Sequence, residues 1–193
     1  MKTQIIQRRL TPFNCVLILI DFQTRLLMTI ESIDAKTLTK NVFDLARIVS
    51  LLNIPTLLTS IGAKTFGGPL LPELQMIFSN REPIECTTMS VWEDRRVCSE
   101  VERTGRRKLV MAGLWTDFCV AHSALQAIRS GYKVYVVTDT CGDLNREAQD
   151  TAILRMIQAG AIPVKCREVL VELQQHKAFL MPDVHIPLSQ RKS

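Results

Sequence analysis

The chain has 193 residues and a mass of 21.8 kDa, with 47% hydrophobic and 22% charged residues. This length suits one domain, which buries about 70% of the surface of its unfolded chain and needs no disulfide or metal for stability. The apolar fraction, with only 8 Gly and 8 Pro, excludes disordered, collagen-like and coiled-coil proteins. The longest apolar run, Cys15 to Ile20, is far shorter than the ~20 residues of a membrane-spanning helix, so no membrane interaction is expected.

The net charge of +5 and the isoelectric point of about 9.0 raise the question of nucleic-acid binding. The basic residues form scattered pairs and one triple without interleaved aromatic residues, which favours a solvated basic surface and no nucleic-acid partner. The amino terminus has no apolar core of signal-peptide length, and the six cysteines form no CxxC pair. A cytoplasmic location is therefore expected.

The first half of the chain alternates apolar runs with segments of helical periodicity. The continuous apolar run over 16–20 predicts a strand buried on both faces. Apolar residues at helical spacing then predict a helix of about four turns, at Leu38, Val42, Leu45, Ile48 and Leu52. After Pro55, the pattern predicts a strand over 56–59, a short helix over 69–78 and a weak third strand over 84–87.

The second half continues the alternation. Its predicted elements are a helix over 93–104, a strand over 109–114, a helix over 117–130, a strand over 134–138, a helix over 146–159, a strand over 162–166 and a helix near 169–175. Gly105, Gly131 and Gly160 follow three of these helices as expected C-caps. We expect a single domain over residues 1–193, with a carboxyl-terminal arm after about residue 178.

This alternation predicts an α/β fold, a three-layer α/β/α sandwich whose parallel sheet is covered on both faces. Six strands with a long excursion between the third and fourth suit the strand order 3-2-1-4-5-6. In such a sheet the ligand crevice lies at the carboxyl ends of strands 1 and 4, where the winding reverses. The residues after Ile20 and Gly113 are therefore the expected site.

Asp21 follows the first strand, in a stretch without the glycines of a dinucleotide turn or Walker loop. Phosphate cofactors are therefore not expected, and no other cofactor is predicted. The residue pattern leaves two interpretations of Asp21 open, a turn or N-cap residue and a functional carboxylate. We expect the carboxylate to lie at the strand tip and not in the core.

Cys119 follows the fourth strand. Thr116 is the expected N-cap, which places Cys119 in the first turn of a helix, where free N–H groups and the helix dipole favour a thiolate. Its pKa is therefore expected below the ~8.5 of a free cysteine. Asp21 and Cys119 would face each other across one crevice, as a possible general base and a nucleophile.

The three histidines give weaker signals. His122 lies three residues after Cys119 on the same helix face, and we interpret it as a structural or pocket-lining residue. His176 and His185 lie in or near the tail. No spacing typical of metal ligands connects the three, so no protein-bound metal is expected.

From Val16 to about Gln175 the chain resembles the isochorismatase-like cysteine hydrolases. The resemblance is strongest in three stretches, Gly113-Leu-Trp-Thr-Asp-Phe-Cys-Val120, Asp21-Phe-Gln23 and Val136-Val-Thr-Asp139. Weaker stretches make it most similar to the YcaC-type branch, at Gly67-Gly-Pro-Leu70, Val91-Trp-Glu-Asp94 and Gln158-Ala-Gly-Ala161.

The resemblance implies that Cys119 is the nucleophile and Asp21 the base that takes its proton. It implies an oxyanion hole from the backbone N–H groups of Trp115 and Cys119, shaped by a non-proline cis peptide between Leu114 and Trp115. The implied reaction is hydrolysis of a small amide or related C–N substrate through a thioester, in a homo-oligomeric protein. The expected pocket residues are Phe22, Gln23, Trp92, Trp115, Phe118 and His122.

One position departs from the family pattern. The third catalytic residue of the family is a Lys or Arg just after strand 3, where this chain has Cys86, with Lys64 and Arg81 nearby in sequence. Three hypotheses therefore stay open. They are an active cysteine hydrolase, a catalytically impaired relative with a binding or structural role, and a redox-active protein that pairs Cys86 with Cys119.

Overall fold

The computed structural model describes residues 9–180, with side chains described through Gln175. Within this part, six parallel strands form one sheet in the order β3-β2-β1-β4-β5-β6, which confirms the predicted fold class and strand order. The strands are β1 (Cys15–Ile20), β2 (Thr56–Ile61), β3 (Ile84–Cys86), β4 (Lys108–Leu114), β5 (Lys133–Gly142) and β6 (Ile162–Val164). Most of the predicted arm lies outside the described residues, as do His185 and the side chain of His176.

Helices cover both faces of the sheet. They are α1 (Thr24–Leu27), α2 (Ala35–Leu51), α3 (Pro72–Ile77), α4 (Arg95–Arg103), α5 (Ala121–Arg129), α6 (Arg146–Gln158) and α7 (Cys166–Leu180). A 3-10 turn at Val91–Glu93 precedes α4, and a π-helical turn at Thr116–Val120 precedes α5. Among the described residues, no helix combines the length and the apolar character that crossing a bilayer requires.

Alternating side chains along β1 divide the core into two layers. Leu17 and Leu19 pack with residues of α2, α3 and α7 on one face of the sheet. Val16, Ile18 and Ile20 pack with residues of α4, α5 and α6 on the other, which we call the second face. All of β1 is buried, as expected for a central strand of a parallel sheet.

β5 extends beyond the predicted strand through an irregular segment. Met111 pairs with Val136, whereas Gly113 pairs with Cys141, so β5 advances five residues while β4 advances two. The amide of Gln149 on α6 donates to the Cys141 carbonyl at 3.0 Å and supports the irregular backbone. This extension brings the end of β5 next to the end of β4.

Candidate functional site

The carboxyl ends of β1 and β4 approach each other closely at a glycine. A Cβ on Gly113 would lie 2.7 Å from the carbonyl oxygen of Ile20 and 2.8 Å from Cγ2 of Val120. These distances are too short for a side chain, so only glycine fits here. The segment after β1 and the π-helical turn after β4 thus meet at the edge where parallel α/β sheets bind ligands.

Asp21 is buried, with 1% of its surface exposed, so the expectation of a carboxylate outside the core is wrong. Strand alternation would direct its side chain to the face of Leu19. Its left-handed backbone, with φ of 56°, breaks that alternation. The carboxylate accepts the Thr59 hydroxyl at 2.7 Å, on the second face.

Cys119 lies beside Asp21 and is fully buried. Its thiol and the Asp21 carboxylate are close enough to shift the pKa of each other. Burial raises the pKa of Asp21 above its ordinary value, against the Thr59 hydroxyl and the Cys119 thiol, which lower it. Burial and then the Asp21 charge raise the pKa of the Cys119 thiol. The lowered pKa predicted for Cys119 is therefore wrong for this structure, because desolvation and neighbouring carboxylates raise the pKa of the thiol.

The backbone before Cys119 differs from the predicted oxyanion hole. The described residues contain no cis peptide bond, so the bond between Leu114 and Trp115 is trans. Trp115 has a left-handed backbone with φ of 51°. Its carbonyl accepts the N–H groups of Phe118 at 3.1 Å and Cys119 at 2.8 Å. Because the Cys119 N–H is occupied, the predicted oxyanion hole is not formed in this structure.

Two hydrogen bonds tie the π-helical turn to the end of β5. The Thr116 hydroxyl donates to the Gly142 carbonyl at 3.0 Å, so Thr116 is not the N-cap that the sequence predicts. The N–H of Asp117 donates to the Asp143 carboxylate at 2.9 Å. The turn that carries the thiol is therefore fixed by the neighbouring strand and not by a local cap.

Cys86 ends β3 and is buried, with 2% of its surface exposed. Its pKa is raised to about 12 by burial and then by the charges of Asp21 and Asp94. The pKa of Cys119 responds in turn to Cys86. The structure thus brings Cys86, Asp21 and Cys119 within electrostatic reach of one another.

Arg96 is a cation near Cys86 that sequence reasoning missed. Its guanidinium donates to the Glu85 carbonyl at 2.7 Å and to the two Asp94 carboxylate oxygens at 2.6 and 3.0 Å. Its charge opposes the rise in the pKa of Cys86. The only signal in the sequence is a pair of arginines at the start of a predicted helix.

The structure places neither of the two cations considered from the sequence beside Asp21. Arg81 donates to the Thr56 carbonyl at 2.5 Å, at the amino end of β2 and so at the opposite edge of the sheet. Lys64 lies on the loop after β2, at the same edge as Asp21, with its side chain exposed. Neither residue has a described contact that puts its charge in the site.

Most of the predicted pocket residues do not meet at one surface. Phe22 is fully buried in the layer opposite Cys119, so its prediction as a pocket residue is wrong. Trp92 lies in the same layer as Cys119 and donates its indole N–H to the Ser130 hydroxyl at 3.0 Å, at the far end of α5, so its role as a pocket residue stays a prediction. Phe118 and His122 are exposed on the surface.

Gln23 is also fully buried, and its amide supports the loop over 62–68. Its Nε2 donates to the carbonyls of Ile61 at 3.1 Å and Gly68 at 2.6 Å. Its Oε1 accepts the Ile61 N–H at 2.9 Å. Gln23 therefore holds this loop against the segment after β1, instead of lining a pocket as predicted.

The rings of Phe66 and Trp115 form a stacked pair, which we call the aromatic wall and which the sequence does not reveal. The two rings are stacked, with centroids 5.9 Å apart and planes inclined by 4°. The Trp115 indole also donates to the Thr29 hydroxyl at 3.0 Å. Phe66 lies on the loop over 62–68, and no periodicity marks it, because its contact depends on how that loop folds.

The described residues contain no group of three or more His, Cys, Asp or Glu side chains arranged to hold a metal ion. All six cysteines are free. The reactive groups at this edge of the sheet therefore include the thiols of Cys86 and Cys119 and the carboxyl group of Asp21. A thiol beside a carboxylate can supply a nucleophile and a proton acceptor.

Comparison with known proteins identifies relatives of this chain. The model of the Isochorismatase domain family matches residues 15–168. The "Probable hydrolase YcaC" of Escherichia coli strain K12 is 34% identical over 154 residues, which cover 79% of this chain and 74% of that protein. Nicotinamidase of the same organism is 45% identical over 56 residues, which cover 28% of this chain and 26% of that protein.

Two solved YcaC structures share the fold. The Escherichia coli protein, described as an octameric hydrolase of unknown specificity, has a TM-score of 0.84 at 34% identity and covers 87% of this chain and 83% of its own. YcaC from Pseudomonas aeruginosa, solved with hexane-2,5-diol and covalent acrylamide, has a TM-score of 0.84 at 33% identity and covers 87% of this chain and 84% of its own. Both similarities extend over most of the molecule.

Proposed function

Because the chain belongs to the isochorismatase family of hydrolases, we propose that it is a cysteine hydrolase that cleaves a small amide or a related C–N bond. The observation that carries the proposal is the burial of the Cys119 thiol beside the Asp21 carboxylate, where each group shifts the pKa of the other. A weak nucleophile becomes reactive when a base beside it takes its proton. The similarity to nicotinamidase supports an amide as the substrate class.

In the proposed reaction, Asp21 takes the thiol proton and the Cys119 thiolate attacks the amide carbonyl carbon. The tetrahedral intermediate collapses to a thioester as Asp21 returns the proton to the leaving amine. Asp21 then deprotonates a water molecule, which hydrolyses the thioester and restores the thiol. The raised pKa of Asp21 supports this role, because it makes the carboxylate a stronger base.

The tetrahedral oxyanion needs N–H donors, whereas the Trp115 carbonyl accepts the Cys119 N–H in this structure. We propose that the Trp115 peptide turns when substrate binds, which frees the N–H groups of Trp115 and Cys119. Donors aimed at the developing charge are among the largest contributions to such catalysis. The stacked rings of Phe66 and Trp115 favour a small, flat acyl group.

The relatives also support proposals about the oligomeric state of the protein and about a chemical probe of its thiol. The octameric Escherichia coli YcaC supports a homo-oligomer for this chain, and a cytoplasmic location is proposed with it. The covalent acrylamide in the Pseudomonas aeruginosa structure supports acrylamide as a probe of the thiol proposed here as nucleophile.

A catalytically impaired relative with a binding or structural role is the second candidate, and Cys86 favours it. The resemblance implies a Lys or Arg at this position, and the guanidinium of Arg96 is bonded to Asp94 instead of Asp21. Burial and carboxylates then raise the pKa of Cys119, and among the described residues no cation opposes this rise. An assay of primary amides, in which the release of ammonia is measured, separates the two candidates.

Asp21→Asn should remove hydrolysis of every amide that the wild type cleaves, because an amide side chain is not a base. The fold should persist, since asparagine tolerates a left-handed backbone and has the same shape. Ammonia release measures the activity, and circular dichroism with thermal unfolding measures the fold.

Cys98→Ser is the matched control, because the Cys98 thiol donates to the Trp92 carbonyl at 3.1 Å, away from Asp21. That variant should keep full activity. Full activity in Asp21→Asn, together with loss in His122→Ala, would move the base to the histidine and contradict the proposed role of Asp21.

A further inference from the structure

A second buried carboxyl group, Asp143, holds the turn that carries Cys119. Asp143 is fully buried just after β5. Its Oδ2 accepts the N–H of Asp117 at 2.9 Å, and its Oδ1 accepts the N–H of Leu144 at 2.9 Å. Asp117 lies two residues before Cys119, so this carboxylate is bonded directly to the backbone of the π-helical turn.

The main chain of Asp143 fixes the segment between α1 and α2 as well. Its N–H donates to the Ser32 hydroxyl at 2.7 Å. Its carbonyl accepts the N–H groups of Glu31 at 3.0 Å and Ser32 at 3.2 Å. The same segment carries Thr29, which accepts the Trp115 indole N–H. Asp143 therefore connects the π-helical turn, which carries Cys119, to the segment between α1 and α2, which contains Thr29.

The carboxyl groups of Asp143 and Asp117 face each other. The Oδ1 of Asp117 is buried and has no hydrogen-bond partner within the described structure, so a proton on Asp143 would satisfy it. Burial and the neighbouring Asp117 charge raise the pKa of Asp143 to about 6, against the two backbone N–H bonds. Other titratable groups on the elements around this pair include Cys141 and Asp139 on β5, four residues of α6 and Glu31 before α2; those of α6 are Arg146, Glu147, Asp150 and Arg155.

We propose that Asp143 is a positioning residue for Cys119 and holds the π-helical turn in place as a carboxylate. This inference rests on the proposed function, because the place of the thiol matters only if the thiol reacts. As a carboxylate, Asp143 offers one oxygen to Asp117 and the other to Leu144. Once protonated, one oxygen donates to Asp117 Oδ1, which weakens the hold on the turn and moves Cys119 relative to Asp21. Reactivity should therefore fall as the pH drops through about 6.

Three variants test this inference. Asp143→Ala removes the acceptor, and Asp143→Asn keeps one oxygen for the Asp117 N–H while its amide donates to Asp117 Oδ1. Asp139→Ala is the matched control, since Asp139 on the same strand accepts the N–H of Cys166 at 2.7 Å, at the start of α7. Each protein is reacted with acrylamide from pH 5 to 8, and peptide mapping gives the rate at Cys119. Steady-state hydrolysis of an amide that the wild type cleaves gives kcat and KM.

Asp143→Ala should lower both kcat and the acrylamide rate at Cys119 by roughly tenfold, with KM changed by less than about twofold, because a displaced nucleophile loses rate and no substrate contact is removed. Asp143→Asn, which has the shape and the hydrogen-bond pattern of protonated Asp143, should show at neutral pH the lowered rate that the wild type reaches below about pH 6. Asp139→Ala should match the wild type in both measurements.

An unchanged acrylamide rate in Asp143→Ala overturns the inference, and so does a pH profile of Asp143→Asn that coincides with that of the wild type from pH 5 to 8. If Asp143→Ala does not fold, the pH profile of Asp143→Asn decides alone. The rate at which acrylamide reacts with Cys119 is measured without catalytic turnover of an amide. A wild type that hydrolyses no amide therefore refutes the proposed function and leaves the role of Asp143 to be judged by its own measurement.

Discussion

A left-handed backbone at single residues determines on which face of the sheet the candidate catalytic side chains lie. Asp21, Asn53 and Trp115 are the three described non-glycine residues with positive φ, and two of them stand at the carboxyl ends of β1 and β4. Such conformations cost about 1–3 kcal/mol each and persist where surrounding contacts fix them. At Asp21 the contacts are the Thr59 hydroxyl and the Cys119 thiol, which hold the carboxylate on the second face.

Cys86→Arg tests whether a missing positive charge limits the reaction. A cation within ~4–6 Å of an ionisable group shifts its pKa by roughly one to three units. The thiolate fraction of Cys119 near neutral pH should rise by about tenfold for each unit. The acrylamide rate at Cys119 and any amidase rate should rise with it, measured by peptide mapping and ammonia release.

Cys86→Met is the control for this substitution, because it adds length without charge. Both rates should stay at or below those of the wild type in that variant. If the wild type already cleaves an amide quickly near neutral pH and Cys86→Arg slows it, Cys86 belongs to the substrate pocket, and the impaired-relative candidate should be dropped.

At the scale of elements, the sequence predicts the sheet well and its irregular ends poorly. Apolar runs and helical periods locate the six strands in the right order, because each buried face leaves its own pattern. β5 runs to Gly142 instead of 138, since its irregular segment is supported by Gln149 from the next helix and carries no local signal. Strand order alone places Asp21 and Cys119 at one edge. Phe66 and Arg96 escape prediction because their contacts depend on loop and helix-start geometry.

The loop over 62–68 offers a prediction at this scale. A Cβ on Gly67 would collide with the Ile61 carbonyl and the Gln23 amide. Gly67→Ala should therefore displace the loop, separate Phe66 from Trp115 and destabilise the protein by about 1–3 kcal/mol. The chain has two tryptophans, so a Trp92→Phe background leaves Trp115 as the fluorescent reporter. Its emission should shift to the red.

Gly131→Ala in the same background separates backbone strain from loop displacement. Gly131 has φ of 84° and nothing within 4 Å of its Cβ position, at the end of α5 away from Trp115. The variant should lose stability with no change in Trp115 emission. An unshifted emission in Gly67→Ala would show that the loop does not depend on the contact of Gly67 with Gln23.

For the whole molecule, the positions of the charges affect the pKa values of the thiols more than the net charge does. The chain carries a net charge of +5, yet carboxyl groups surround the thiols at the ends of the central strands. Asp21, Asp94 and Asp117 each raise the pKa of Cys86 or Cys119. Arg96, the cation among these groups, is bonded to Asp94. The charges around the thiols are therefore opposite in sign to the net charge of the chain, and the basic surface stays a prediction from the sequence.

Buried carboxyl groups with raised pKa values should appear in the pH dependence of global stability. Asp143 binds its proton with a pKa of about 6 in the folded protein and 3.8 as the unperturbed value. Between these values the folded state holds more protons than the unfolded state, so the free energy of unfolding falls as the pH rises. The stability linked to Asp143 is complete below about pH 4 and is lost as the pH passes about 6.

Asp143→Asn removes this titration and leaves the other groups in place. The free energy of unfolding of the variant minus that of the wild type should therefore increase from pH 4.5 to 7, measured by urea denaturation at one protein concentration. Asp34→Asn is the control, because the Thr37 hydroxyl and N–H hold the pKa of Asp34 below its usual range, so Asp34 titrates below this pH interval. Its contribution is lost only as the pH falls towards and below the ordinary value, so its difference from the wild type should stay constant over the same interval. A constant difference for Asp143→Asn as well would mean that Asp143 is ionised throughout, and the shared proton with Asp117 would have to be abandoned.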